Sequence, residues 1–222
     1  MLGDLVLVAK KDLLIEWRSR ITIGQIAPLG VLVLVVFAFA LDANAELLER
    51  AAGGLFWVAV LFGGVLIVQR SFDVESEDGN DDALRLSGIE PAAIFLGKAL
   101  ALTVQLVTLE LVLGAGLLVF FDTSVESWPL ALVAALGGTL AFSVCGTLYG
   151  ALASGVRVRD TLLPLLLIPV VAPVLLAATR AFEAAFGLST DAGWNWTGLL
   201  FAIAAIFAAV GVVAFGPLLE DG

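Results

Sequence analysis

One acidic residue, Glu110, lies inside a long apolar stretch of the sequence. It follows Lys98 by 12 residues, which is about 18 Å along a helix that rises 1.5 Å per residue. If this helix crosses a membrane, Glu110 lies near the middle of the bilayer, where an acid is costly. Two interpretations stay open: Glu110 is a functional acid, or it is a protonated side chain that hydrogen-bonds a neighbouring helix.

The residue types needed for most other site chemistry are missing from the sequence. It contains no histidine and a single cysteine, Cys145. This excludes histidine-based catalysis, histidine-ligated metal or haem, internal disulfides and multi-cysteine metal sites within this chain. The sequence also has no GxxxxGK[ST] phosphate loop, HExxH or CxxC motif. We therefore expect no catalytic residue, no metal site and no ATP site in this chain.

Three prolines stand close together in another apolar stretch: Pro164, Pro169 and Pro173. Each removes a backbone hydrogen-bond donor and kinks a helix. Together they predict a broken or re-entrant path that permits movement, and a statically kinked helix is the alternative. Pro169 and Pro173 are four residues apart and share nearly the same helical face, so these two are the functional candidates.

The composition shows which class of protein carries these residues. Of the 222 residues, 61% are hydrophobic and 14% are charged, against about 25% charged in an average soluble domain. A soluble protein of this composition would expose large apolar patches, so a soluble enzyme is excluded. The net charge of −10 argues against nucleic acid as a partner.

Six apolar stretches are long enough to be membrane-spanning helices, and the gaps between them hold nearly all of the charge. They do not alternate polar with apolar residues, which argues against a β-barrel. The sequence therefore predicts a single all-α membrane domain over 1–222. The predicted spans are 22–41, 53–68, 99–121, 130–152, 162–178 and 199–215.

The basic residues predict the orientation of these helices. Nine lysines and arginines lie on one side and two on the other, so both chain termini are expected in the cytoplasm of a multi-pass cell-membrane protein. The first span is also too long for the apolar region of a signal peptide, so it is expected to remain as a helix. The nine are Lys10, Lys11, Arg18, Arg20, Arg70, Arg85, Lys98, Arg157 and Arg159, and the two are Arg50 and Arg180.

Residues 2–20 have the pattern of an amphipathic helix that precedes the first span. Such a helix lies flat on the membrane surface, with Trp17 among the lipid headgroups. A plain anchor beside the membrane is the alternative. The apolar face is predicted to contain Leu2, Leu5, Val6, Ala9, Leu13 and Trp17, and the opposite face Asp4, Lys11 and Arg18.

Pairs of glycines recur in the predicted helices, at 53–54 and 63–64, and the fourth span contains GTLYG at 146–150. Small residues let neighbouring helices approach closely within a membrane. We expect helices to pack at these positions, or copies of the chain to associate there.

The longest polar segment is 69–91, between the second and third spans. Six acids lie within residues 73–82, and apolar residues then return at Leu84, Leu86 and Ile89. This spacing predicts a short helix that ends near Gly88 and Pro91. The segment is either a docking element for a cytoplasmic partner or a solvated hairpin.

Three segments together resemble the cytochrome c maturation permease family, haem exporter protein B (CcmB). They are KKDLLIEWRSR before the first span, RSFDVESEDGNDDALRLSGIEPAAIFLGKAL between the second and third, and RDTLLPLLLIPVVAPVLLAATRA in the fifth. The sequence departs from the family at Gln69, where an acid often stands, at Asn80–Asp81, and at the additional Pro164. The matching positions are Arg70, Phe72, Asp78, Gly79, Leu84, Leu86, Pro91, Lys98, Pro169, Pro173, Leu175 and Leu176.

The resemblance implies an ABC-2-like permease architecture and a role as the membrane subunit of an ABC-type complex. The partners it implies are an ABC ATPase that binds the ATP, a haem-handling membrane protein (haem exporter protein C), and a second copy of this chain. Haem is then a cargo and not a stably bound cofactor. The segment 69–91 becomes the ATPase dock. Its candidate docking residues are Arg70, Phe72, Leu84, Leu86 and Pro91.

Alternatives to this role stay open from the sequence. Within the family resemblance, the chain either conducts haem or transmits the ATP-driven motion that releases a haem-loaded chaperone. A related ABC exporter permease would carry a lipid, a drug or an ion. A third class is a membrane scaffold, or a membrane-embedded enzyme centred on Glu110.

Overall fold

The computed structural model describes residues 1–41, 44–77, 88–121, 123–154, 159–190 and 192–221. These residues are almost entirely helical, and no strand occurs among them. Six helical stretches are long and apolar enough to cross a membrane, which confirms the predicted all-α membrane fold. The helices are α1 (Leu2–Ser19), α2 (Ala27–Ala40), α3 (Ala45–Glu77), α4 (Pro91–Phe121), α5 (Trp128–Ser154), α6 (Arg159–Ala185) and α7 (Gly193–Asp221).

A tight corner separates α1 from the first span. Arg20 adopts the left-handed conformation (φ 54°) that ends many helices, and its N–H donates to the carbonyl oxygen of Glu16. The Glu16 carboxylate in turn accepts a hydrogen bond of 2.7 Å from the N–H of Thr22. A π-helical turn, Thr22–Ile26, then leads into α2. The corner ends α1 before the first span begins, as an interfacial helix requires.

Helix α1 divides its apolar residues between two environments. Val8 and Ala9 are buried against the rest of the chain, whereas Leu2 and Trp17 are 80% and 75% exposed. The predicted apolar face is therefore mostly free to contact lipid. The charged residues named in the prediction all lie on the opposite face. The structure also buries one charged residue, Asp12, beside Val8 and Ala9.

Helices α3 and α4 are longer than the predicted spans 53–68 and 99–121. The side chain of Asn44 caps α3 by accepting the N–H groups of Glu46 and Leu47, at 3.1 and 3.2 Å. Residues 69–77 were expected to be loop, but they continue α3 because they include neither glycine nor proline. Pro91, expected to end the loop, is the first residue of α4, where its fixed φ favours a helix start.

Helix α6 is one continuous helix from Arg159 to Ala185, so the broken or re-entrant path expected there is not what forms. Its buried residues recur every three or four positions, from Leu163 to Ala185, and hold the helix against the bundle. Pro169 and Pro173 both lie on the exposed face. The missing N–H groups therefore do not interrupt the packed side of the helix.

Glycines on α5 allow α3 to pack closely against it, as the small-residue pattern predicts. The ring of Phe72 lies directly over Gly150, and the side chain of Val68 lies over Gly146. A methyl group at either glycine would overlap these side chains. One continuous apolar core includes residues from α2 to α7.

Candidate functional site

A buried ion pair joins α1 to α4. Oδ2 of Asp12 lies 3.7 Å from Nζ of Lys98, and the two residues are only 7% and 2% exposed. Lys11 lies 3.1 Å from the other oxygen of Asp12, and the Lys98 ammonium is 4.6 Å from the centre of the Phe72 ring. We call Asp12, Lys98 and Phe72 the α1 junction, since one residue from each of α1, α4 and α3 meets there.

A small polar cavity of about 30 Å³ lies beside the α1 junction, with room for one or two water molecules. Asp12 and Glu16 of α1, Arg70 and Ser71 of α3, and Gln105 of α4 line it. Arg70, which is predicted to dock an ATPase, therefore lines the same cavity as Asp12 and Glu16 of α1.

The docking residues that the structure describes differ in their exposure. Arg70 is half-buried beside the cavity, and Pro91 is half-buried at the start of α4. Phe72 is 5% exposed and packs inside the chain, so its ring supports the junction rather than a surface. Leu84 and Leu86 lie outside the described residues. Any direct contact with a partner here would be made by residues other than Phe72.

Glu110 is buried within the bundle and reaches from α4 to α5. The hydroxyl oxygen of Thr139 lies 2.6 Å from its Oε1 and 2.8 Å from the carbonyl oxygen of Ala135. Glu110 is 8% exposed, and Thr139 is fully buried. This contact has the geometry that the second interpretation requires, a hydrogen bond to a neighbouring helix, and both interpretations stay open.

An apolar cleft of about 480 Å³ opens beside Glu110 at the end of the bundle away from α1. Leu111 and Leu118 of α4 form one wall, and Leu132 of α5 forms the other. Aromatic rings of α3, α5 and α6 complete the lining. We call this space the Glu110 cleft. Its aromatic residues are Phe56, Trp128, Phe182 and Phe186.

The three intramembrane candidates from the sequence do not form one site. Pro169 and Pro173 face away from the packed side of α6, where lipid or another chain can reach them. Neither proline lines the Glu110 cleft. Glu110 therefore belongs to a cleft between helices, and the prolines belong to an outer surface.

Sequence reasoning missed Asp12 and Thr139. Asp12 follows Val8 by four residues, so a carboxylate within the apolar stripe of an amphipathic helix was a signal of a buried partner. Thr139 gave no such signal, because threonines are common in membrane helices and bond their own backbone. Thr139 and Glu110 are 29 positions apart in the sequence, so their contact is not visible in any local pattern.

Comparison with known proteins gives one consistent family. A family model described as CcmB protein matches residues 4–220. Heme exporter protein B of Haemophilus influenzae is 32% identical over 212 residues, which cover 95% of this chain and 92% of that protein. The same-named protein of Rhodobacter capsulatus is 32% identical and that of Pseudomonas aeruginosa 30%, over 75% and 82% of this chain and 76% and 82% of theirs.

Proposed function

The chain belongs to the CcmB protein family, and we propose that it is the membrane permease subunit of an ABC-type complex for cytochrome c maturation. In this role it couples ATP hydrolysis by a partner ATPase to haem export or to release of a haem-loaded chaperone. The chain itself is not an enzyme in this proposal. Haem is its cargo, and ATP acts on it only through the partner.

The observation that carries the proposal is the family match over residues 4–220, which includes all six candidate spans. Relatives named heme exporter protein B align with most of both chains, so the likeness extends beyond a single motif. The sequence has no phosphate-binding loop, so a separate subunit must supply the ATP site.

The α1 junction supports a way for ATP-driven motion to enter the membrane. The proposed ATPase dock is residues 69–91, and Arg70 near its start lines the same cavity as Asp12. Asp12 pairs with Lys98, near the first turns of the α4 span. Movement of the dock would then shift α1 and the start of α4 together.

The proposed partners are an ABC ATPase, a haem-handling membrane protein (haem exporter protein C) and a second copy of this chain. The Lys/Arg distribution supports a cytoplasmic location of both termini, on the side proposed for the ATPase. The exposed face of α6, with Pro169 and Pro173, is the proposed side of the dimer or of a central path. Membrane lipid covers the other outer faces.

The test is purification of the tagged chain from its own cells under mild detergent. An ABC ATPase in equal amount, and loss of c-type cytochromes when the gene is deleted, are the expected results. An equal amount of ATPase with normal c-type cytochromes would favour a permease for another cargo. Purification without any ATPase would contradict the whole proposal and favour a scaffold.

A further inference from the structure

We propose that the Glu110 cleft binds a flat, membrane-soluble molecule that donates an O–H or N–H hydrogen bond to the Glu110 carboxyl group. The proposal is independent of the export role, since it depends only on the cleft and on the hydrogen bonds around Glu110.

The contacts of Thr139 indicate the protonation state of the Glu110 carboxyl group. The Thr139 hydroxyl oxygen makes two short contacts, with Oε1 of Glu110 and with the carbonyl oxygen of Ala135. A hydroxyl group has only one proton to donate, and neither a carboxylate nor a carbonyl can donate. Both contacts are hydrogen bonds if the Thr139 proton goes to Ala135 and a protonated Oε1 donates to Thr139. Glu110 is then a neutral carboxylic acid.

The second carboxyl oxygen, Oε2, is left as an acceptor. Among the described residues it accepts no hydrogen bond. It is not one of the fully buried polar atoms without a partner, so part of its surface is accessible. Glu110 is one of the residues that line the cleft, and in this proposal the accessible side of Oε2 faces it. An acceptor without a partner in hydrocarbon is unfavourable, because no water is present to replace the hydrogen bond. A ligand with a donor group offsets this cost.

The cleft has the size and the lining of a small-molecule site. Its volume of about 480 Å³ falls within the range of known ligand pockets. Phe56 and Phe182 stack 5.2 Å apart in its lining, and Trp128 and Phe186 add two further rings. Flat apolar molecules pack well against such surfaces. The acyl chain of a phospholipid has no donor at this depth, so it would leave Oε2 unpaired.

The test uses two probes with the same flat body, 1-pyrenemethanol and 1-methylpyrene, of which only the first has an O–H donor. The full chain is placed in phosphatidylcholine nanodiscs, and energy transfer from tryptophan to pyrene is followed by titration. Trp128, one of five tryptophans in the chain, lines the cleft, so a probe bound there lies next to an energy donor. Both probes enter the bilayer, so the transfer seen with 1-methylpyrene measures partition into the lipid without the O–H donor.

We expect saturable transfer with 1-pyrenemethanol, and an affinity about fivefold weaker for Glu110→Leu, which corresponds to one lost neutral hydrogen bond. Glu110→Gln keeps an acceptor oxygen and should bind within about twofold of the original chain. Ala115→Phe, at an exposed position of the cleft wall, should block binding of the probe. Thr108→Val is the matched control, since Thr108 is a polar residue of α4 that does not line the cleft.

Two results would overturn the proposal. Equal affinities for the two probes would mean that the donor group contributes nothing. An unchanged affinity in Glu110→Leu would mean that the cleft is only an apolar groove filled by lipid. Both measurements use the chain without any partner, so neither depends on the export complex.

Discussion

Oδ2 of Asp12 lies 3.7 Å from Nζ of Lys98, and this buried pair attaches the interfacial helix α1 to the α4 span. The two residues come from segments 86 positions apart in the sequence. Both are almost completely buried, so each charge helps to compensate the other, and Lys11 adds a second positive charge beside Asp12. The pair therefore links a helix outside the spans directly to one within them.

Removal of one member of this pair should destabilise the chain strongly. Lys98→Met leaves the Asp12 carboxylate buried beside Lys11 alone, and we expect a loss of about 3–5 kcal/mol. The measurement is the midpoint of thermal unfolding in detergent. Lys11→Met is the control: its side chain is 35% exposed, so its loss should cost less than about 1 kcal/mol. Equal effects of the two variants would show that burial of the Asp12–Lys98 pair is unimportant.

Replacement of Leu84 and Leu86 with aspartate should weaken binding of the ATPase. Each leucine contributes about 1.5–3 kcal/mol if it is fully buried in the interface. The measurement is the yield of ATPase that co-purifies with the tagged chain. Wild-type yield from the double variant would mean that another surface forms the main dock.

A methyl group should be tolerated at one helical glycine and not at another. In Gly150→Ala the new Cβ overlaps the Phe72 ring, and we expect a loss of about 1–3 kcal/mol. Gly198 in α7 has no atom near the position of a Cβ, so Gly198→Ala should gain roughly 0.5–1 kcal/mol. Thermal unfolding of both variants in the same detergent compares them directly. A stable Gly150→Ala variant would contradict the close packing of α3 on α5.

The double variant Pro169→Ala with Pro173→Ala should reduce cytochrome c maturation without loss of the protein. It restores two backbone donors on the exposed face of α6 and straightens the helix. We expect normal expression and a lower level of c-type cytochromes in a deletion strain. Full maturation at normal protein level would mean that the prolines have a structural role only.

Cysteine labelling should locate the two ends of the bundle in a variant that lacks Cys145. A membrane-impermeant maleimide should label Asp191→Cys in intact cells and Glu220→Cys only after the cells are opened. The reason is the excess of lysine and arginine on the side of the termini. Labelling of Glu220→Cys from outside would reverse the orientation.

Sequence alone determined the class and the family of this protein. Six apolar stretches predicted six spans, and each has a long apolar helix in the structure, because length and hydrophobicity are local properties. The motifs around Arg70, Lys98 and Pro169 pointed to the CcmB family by their order along the chain. The ends of the helices were less predictable, since an Asn44 cap or a Pro91 start extends a helix beyond its apolar part.

Tertiary structure decided which polar residues meet. Nothing in the spacing of the sequence paired Asp12 with Lys98, or Glu110 with Thr139, because such pairs depend on how each helix is rotated and where it crosses its neighbour. The same packing buried Phe72 against Gly150 and left Pro169 on an outer face. Hydrophobicity places a helix in the membrane, and only contacts between distant helices determine which of its faces is turned inward.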